Sequence, residues 1–347
     1  MSRAPRFILA ATSLAALAAL TACAGGSGSD AGPSAPPDAD HITIQLDYQP
    51  RGLHAPLFVA QQQGFFAAEG IVVDDILTGT SSGDTLRLVG QGQGDFGVSD
   101  LPTLVVARSQ EVPVKAILAT NQSSPLAMCA KADKHTLNSP KDLEGLKVGV
   151  QSSGSTYVFY KALLAANDID PSALTELTVN PPYESYLVTD QVDTVPCYTD
   201  AEVPILQKSA GDLSILMGSD FGYDTYGTGI FTTDKMIQEN PDLVQRFTNA
   251  YLKGLQYTID NPAEAAKTLA DSNAQLAGNE ALYEQQLQAD IDNTFTSADT
   301  EANGLGSMDD TTWQKTIDLL FGQGVISTEP AVTDVQDPTF VTADKDD

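Results

Sequence analysis

Residues 46–66 read LDYQPRGLHAPLFVAQQQGFF. An apolar run stops at Asp47-Tyr48, a short loop carries Gln49, Arg51 and His54, and Ala55-Pro56 opens a helical pattern. Pro is tolerated in a first helical turn, because the N–H it lacks would have no intrahelical partner there. A strand that ends where a helix begins is the junction at which open α/β sheets bind small molecules. An aromatic ring, a guanidinium and an imidazole gathered there raise the expectation of a ligand cleft walled by Asp47, Tyr48, Arg51 and His54.

Outward from this stretch, strand and helix patterns alternate. Strands are expected at 42–48, 71–77, 96–99, 112–120, 124–132, 147–151, 174–179, 193–198 and 213–217. Helices are expected between them, at 55–63, 82–89, 101–109, 156–166, 184–190 and 201–209. Such alternation implies parallel sheets covered by helices on both faces. After a further strand at 229–233 the chain reads as nearly all helix. Leu243, Phe247, Tyr251, Leu255 and Ile259 recur every four residues and form one apolar stripe. Trp313, Ile317, Leu320 and Phe321 form another, which makes the lone tryptophan a core residue. Asn261-Pro262-Ala263-Glu264 has the cap residue, proline and acid of a helix start. The expected architecture is a bilobal α/β protein: two mixed, mostly parallel sheets flanked by helices, with a helical C-terminal part.

The N-terminus reads as an export signal. Arg3 and Arg6 precede an apolar stretch over 7–20 that is too short to span a bilayer. It ends in Leu20-Thr21-Ala22-Cys23, followed by Gly and Ser, in the manner of a bacterial lipobox. Residues 1–22 are expected to be removed and Cys23 lipidated. Residues 23–40 then form the anchor and a Gly/Ser/Pro-rich tether, reaching roughly 20–25 Å.

Composition narrows the function. The net charge is −28, from 18 Lys and Arg against 46 Asp and Glu, and no basic cluster could track a phosphate backbone, so nucleic acid is not an expected partner. His41, His54 and His135 are far apart and no Cys-x-x-Cys occurs, so no metal site is expected. Gly92, Gly94 and Gly97 in GQGQGDFG have dinucleotide-fingerprint spacing, but they follow a helical pattern and precede a strand, the reverse of what that fingerprint needs. Neither a cofactor nor catalysis is expected. Cys129 and Cys197 could pair in an exported chain. Their apolar surroundings, PLAMCAKA and DTVPCYT, favour buried free thiols instead.

Two serine–glycine loops, 80–83 and 151–156, each follow an expected strand and precede a helix. Their N–H groups, hydroxyls and helix dipole suit an anion or a polar acceptor. Helix capping is the competing reading for one such loop, but one in each half of the chain favours facing cleft walls. This nominates Ser82 from the first loop and Ser152, Ser153, Gly154, Ser155 and Thr156 from the second. Tyr198-Thr199-Asp200-Ala201-Glu202 is a third strand-to-helix junction. Tyr48, Tyr198 and Tyr226 are candidates to sandwich a flat ring, while Asp100 and Glu202 could accept from a ligand N–H.

Four blocks carry a family likeness: LDYQPRGLHAPLFVAQQQGFFAAEGI, DFGVSDLPTLVVARSQEVPVKAI, SPKDLEGLKVGVQSSGS and GYDTYGTGIFTT. They resemble the solute-binding proteins of ABC importers for thiamine-pyrimidine precursors, neighbours of the sulfonate, taurine and nitrate binders. The resemblance implies a type II periplasmic-binding fold. Lobe one would comprise residues 41–125 and 226–330, lobe two 126–225, and 331–347 a tail. The chain would cross between lobes near 122–128 and 223–229. Asp47, His54, Ser99, Asp100, the 152–156 loop, Glu202 and Tyr226 fall on family positions. Tyr48 stands where the family usually has Trp, and Arg51 where it has Asn. Arg51 adds planar donors suited to a carboxylate, sulfonate or phosphate. The implied role is a monomeric lipoprotein on the outer face of the cytoplasmic membrane, passing a small-molecule ligand to an ABC permease with its ATPase. The ligand would be a pyrimidine-like heteroaromatic or, alternatively, an organic anion such as a sulfonate. Pyrimidine-synthesising relatives use a histidine at the position of His54, together with a cysteine-rich motif absent here.

Overall fold

A computed structural model of the chain describes residues 36–152, 154–179 and 184–341. The anchor residue Cys23 and the loop residue Ser153 lie outside them. Ten strands occur among the described residues: β1 (Asp40–Gln45), β2 (Ile71–Leu77), β3 (Phe96–Asp100), β4 (Val114–Ala119), β5 (Leu126–Lys131), β6 (Lys147–Val150), β7 (Thr175–Thr178), β8 (Thr194–Tyr198), β9 (Leu213–Met217) and β10 (Thr228–Thr233). They form two five-stranded sheets, ordered β2-β1-β3-β10-β4 and β7-β6-β8-β5-β9.

The two sheets are built alike. β1 runs parallel to β2 and β3, and β6 runs parallel to β7 and β8. Each sheet has one strand antiparallel to both its neighbours, β10 in the first and β5 in the second. In both cases it is the strand the chain enters on arriving from the other sheet, after Ala119 and after Met217. β3 and β8 are buried along their whole length, as parallel strands covered on both faces must be.

The longer helices are α1 (Ala55–Gln62), α2 (Ser82–Gly90), α3 (Leu101–Ser109), α4 (Ser155–Ala166), α5 (Glu202–Ala210), α6 (Pro241–Asp260), α7 (Pro262–Asp271), α8 (Glu280–Asn293) and α9 (Asp310–Gly322). The stripe on α6 buries Leu243, Phe247, Tyr251 and Leu255, while Ile259 at its end is only half-buried. Phe247 stacks on Phe96 of β3 with centroids 3.8 Å apart; burying each such ring contributes roughly 1.5–3 kcal/mol. Gly254 lets α6 close on α1, because a Cβ there would stand 2.4 Å from the Pro56 carbonyl oxygen. No helix among the described residues is long and apolar enough to cross a membrane.

Three expectations need correction. Cys129 and Cys197 form a disulfide rather than two free thiols. Register explains it: Cys129 lies opposite Val195 and Cys197 opposite Ala127, so the two cysteines are diagonal neighbours on one face of the β5–β8 pair, Cα atoms 6.0 Å apart. Asn261 sits at the start of α7, but its side chain donates to the Tyr257 carbonyl of the helix before instead of capping the one after. Finally, Trp313, Ile317 and Leu320 are buried as read, whereas Phe321 is 43% exposed.

Candidate functional site

The strand-to-helix junctions of the two sheets face one another across a cleft with about 400 Å³ of space, part of it open to solvent. The first sheet contributes Asp47, Tyr48 and Arg51 from beyond β1, and Thr80, Ser81 and Ser82 where α2 begins. The second contributes Gln151, Gly154, Ser155 and Thr156 at the start of α4, with Tyr198 and Glu202 between β8 and α5.

The Arg51 side chain is held from two directions. Its Nη1 and Nη2 donate to Asp47 Oδ1 and Oδ2 at 3.1 and 3.0 Å, a bidentate pair. Its guanidinium carbon lies 5.4 Å from the centre of the Tyr198 ring, a cation–π contact reaching from one wall to the other. Burial pushes the Asp47 carboxyl up, but the Arg51 charge and the His54 hydrogen bond outweigh it and hold the group well below the usual carboxylate range. Asp47 in turn keeps Arg51 firmly cationic against its burial.

His54 completes the set from behind. The Arg51 backbone N–H donates to Nδ1 at 3.1 Å, so the ring proton resides on Nε2, which donates to Asp47 Oδ1 at 2.8 Å. Burial, helped by the nearby Arg51 charge, lowers the imidazole pKa and keeps it neutral. The side chain is 1% exposed and does not line the cleft.

The Thr80–Ser82 loop is occupied by the protein's own acid. Asp84 Oδ2 accepts from the Thr80 and Ser81 hydroxyls at 2.8 and 3.0 Å, and Ser81 Oγ accepts from the Asp84 N–H as the cap of α2. Ser82 Oγ accepts from the Asp100 N–H at 3.2 Å. Across the cleft, Gly154 opens α4 with no side chain to cap it, so the positive helix end contributes to the lining. Ser155 Oγ and the Tyr198 hydroxyl share a 2.6 Å hydrogen bond, and Glu202 accepts from the Tyr198 N–H at 2.6 Å.

The sequence reading and the cleft therefore overlap unevenly. Asp47, Tyr48, Arg51, Ser82, Gly154, Ser155, Thr156, Tyr198 and Glu202 are brought together around it. Ser99 and Asp100 are buried beneath Ser82: Ser99 Oγ donates to the Asp100 carbonyl, and Asp100 Oδ1 caps α3 at Thr103. Burial raises the Asp100 carboxyl to about 7. Ser152 is exposed and outside the lining. Tyr226 is elsewhere altogether, because its hydroxyl bonds to Asp309 and its ring packs against Trp313 in the core. A matching family position and an aromatic ring were the signals for Tyr226, and packing on the C-terminal helices accounts for both. Gln286, on α8, was not anticipated; it bonds to backbone beside both walls.

Comparison with known proteins identifies a family and a fold. Residues 52–265 match the family described as NMT1/THI5 like. The riboflavin-binding protein RibY of Chloroflexus aurantiacus is 28% identical, over 88% of this chain and 86% of its own. The formylaminopyrimidine-binding protein of Halalkalibacterium halodurans is 26% identical over 80% and 84%. A 4-amino-5-hydroxymethyl-2-methylpyrimidine phosphate synthase of Legionella pneumophila is 27% identical over 68% and 74%. Among solved structures, the alkanesulfonate-binding protein SsuA of Xanthomonas axonopodis pv. citri, bound to MOPS, has a TM-score of 0.66 at 15% identity, covering 86% of this chain and 98% of its own. At that identity the likeness establishes the fold, the periplasmic-binding type with two mixed sheets.

Proposed function

The chain belongs to the NMT1/THI5-like family, and on that premise we propose that it is the extracytoplasmic solute-binding protein of an ABC importer. It captures an uncharged, polar heteroaromatic solute between the two sheets and hands it to a permease with its ATPase. Each sheet, with the helices on it, acts as one lobe. Tyr48 and Tyr198 supply flat faces for the ring, while Ser82, Ser155, Thr156 and Glu202 supply hydrogen bonds to its edge. Cys23, lipidated, anchors a monomer to the outer face of the membrane.

One observation carries the preference for an uncharged ligand. Among the described residues Arg51 is the one cation lining the cleft, and Asp47 already engages two of its nitrogens. An anion entering there would have to compete with a bidentate carboxylate, and the Thr80 and Ser81 hydroxyls are likewise committed to Asp84. A catalytic reading through His54 finds no support, because both ring nitrogens are bonded within the protein and the ring is shut off from the cleft. The names of the two binding-protein relatives, for riboflavin and formylaminopyrimidine, point to the same ligand class.

A thermal-shift panel of riboflavin, formylaminopyrimidine, an alkanesulfonate and nitrate tests the proposal. A ligand at 100 times its dissociation constant adds about 2.7 kcal/mol to stability. Stabilisation is expected from an uncharged ring and from neither anion. Stabilisation by an anion alone would transfer the chain to the sulfonate-like reading.

A further inference from the structure

Helix α8 sits on the first-sheet side, packed on α7 and on the turn Gly52–His54, and it also reaches α5 on the far side of the cleft. Gln286 projects from it and is 3% exposed. Its Oε1 accepts from the Gly52 N–H at 2.9 Å, and its Nε2 donates to the Ala201 carbonyl at 3.0 Å. Gly52 follows Arg51, and Ala201 precedes Glu202, so a single amide ties together the backbones beside both walls.

The two bonds have different duties. Gly52 and α8 are on the same side, and their closeness depends on glycine: a Cβ at position 52 would stand 2.7 Å from Gln286 Cβ and 2.9 Å from the Leu287 nitrogen. This bond fixes the orientation of the amide. It leaves Nε2 as the donor that crosses to Ala201, on the other side. One turn further along, Asp290 Oδ1 accepts from Asn121 Nδ2 at 2.8 Å, and at the end of the helix the Thr294 carbonyl accepts from the Gln122 N–H at 2.6 Å. Helix α8 thus grips the first connection between the sheets as well as the first wall. If the walls part about that connection, the Gln286–Ala201 bond must break.

We infer that Gln286 is a positioning residue that latches the cleft in its closed arrangement, oriented by Gly52 and bonded across the gap to Ala201. Closing two buried backbone groups with one amide favours this arrangement, since parting the walls leaves the Ala201 carbonyl to find water. The inference does not depend on which solute enters, so the experiment uses the full chain without ligand.

Small-angle scattering of the wild type, Gln286→Met and Gln286→Asn gives the radius of gyration, and melting curves give stability. Methionine keeps the volume and loses both bonds; asparagine keeps the chemistry but is too short to reach both partners. A larger radius is expected in either variant, with the wild type matching the arrangement described here. Should Gln286→Met fail to fold, Gln286→Asn is read in the same way. An unchanged radius, with or without a lower melting temperature, reduces Gln286 to ordinary packing and overturns the latch.

Discussion

Arg51 and Asp47 form a bidentate ion pair inside the cleft, with Nη1–Oδ1 at 3.1 Å and Nη2–Oδ2 at 3.0 Å. Four residues apart, on the strand-ending side of a turn, they neutralise one another where a solute would enter. The guanidinium that the sequence alone offers to an anion is, in the fold, part of the floor.

Asp47→Asn therefore leaves a buried cation without its carboxylate. Breaking a buried pair from one side costs about 3–5 kcal/mol. The loss should lie toward the lower end, because the Asp200 carboxyl also favours the Arg51 charge. Urea unfolding of the variant measures this, and a loss below about 1 kcal/mol means the pair is not buried as described. The same variant should gain affinity for an alkanesulfonate, since two guanidinium nitrogens become available.

Asp100 makes stability depend on pH. Its carboxyl is raised from 3.8 to about 7 by burial, so the folded state holds a proton that the unfolded chain releases. The stabilisation is complete below about pH 4 and disappears as pH rises through 7, at a slope of at most ~1.4 kcal/mol per pH unit. Asp47, depressed by Arg51, acts in the opposite sense and matters only in acid below its ordinary range. Asp100→Asn keeps an acceptor for the Thr103 N–H and removes the titration. The variant should outlast the wild type at pH 8 and lose most of that advantage by pH 5. Parallel melting curves for the two proteins across this range count against a buried, protonated Asp100.

The disulfide predicts a further effect. Cys129 and Cys197 are both fully buried and 68 residues apart, so the bridge restrains a long loop in the unfolded chain. Replacing both by alanine should cost about 2–5 kcal/mol. A reductant should leave the native protein oxidised and act only once denaturant opens it, as thiol counting with and without urea can establish. Thiols at Cys129 and Cys197 that titrate on unfolding in urea without reductant contradict the bridge.

Much of the fold was legible because it rests on local patterns. Ile71–Leu77 and Leu101–Ser109 are read with the boundaries they have, since a strand between Gly turns and a helix after Asp100 carry their own punctuation. The junction loops were legible as walls for the same reason. What escaped depends on register and long-range contact. The Cys129–Cys197 bridge follows from how β5 slides along β8, which neither sequence segment encodes alone. Asp47 and Arg51 meet only because the turn between them folds one back on the other. Gln286 reaches Gly52 across 234 residues and carries no motif.

Calorimetric titration of the wild-type chain with an uncharged ring and with an organic anion, under one set of conditions, bears most directly on the cleft chemistry. Riboflavin or formylaminopyrimidine should bind, and Tyr198→Ala should weaken that binding by about 1–3 kcal/mol if stacking resembles that of bases on aromatic side chains. The alkanesulfonate should give no heat beyond dilution. Saturable binding of the sulfonate, with none of either ring, would contradict a cleft in which Arg51 is already engaged by Asp47.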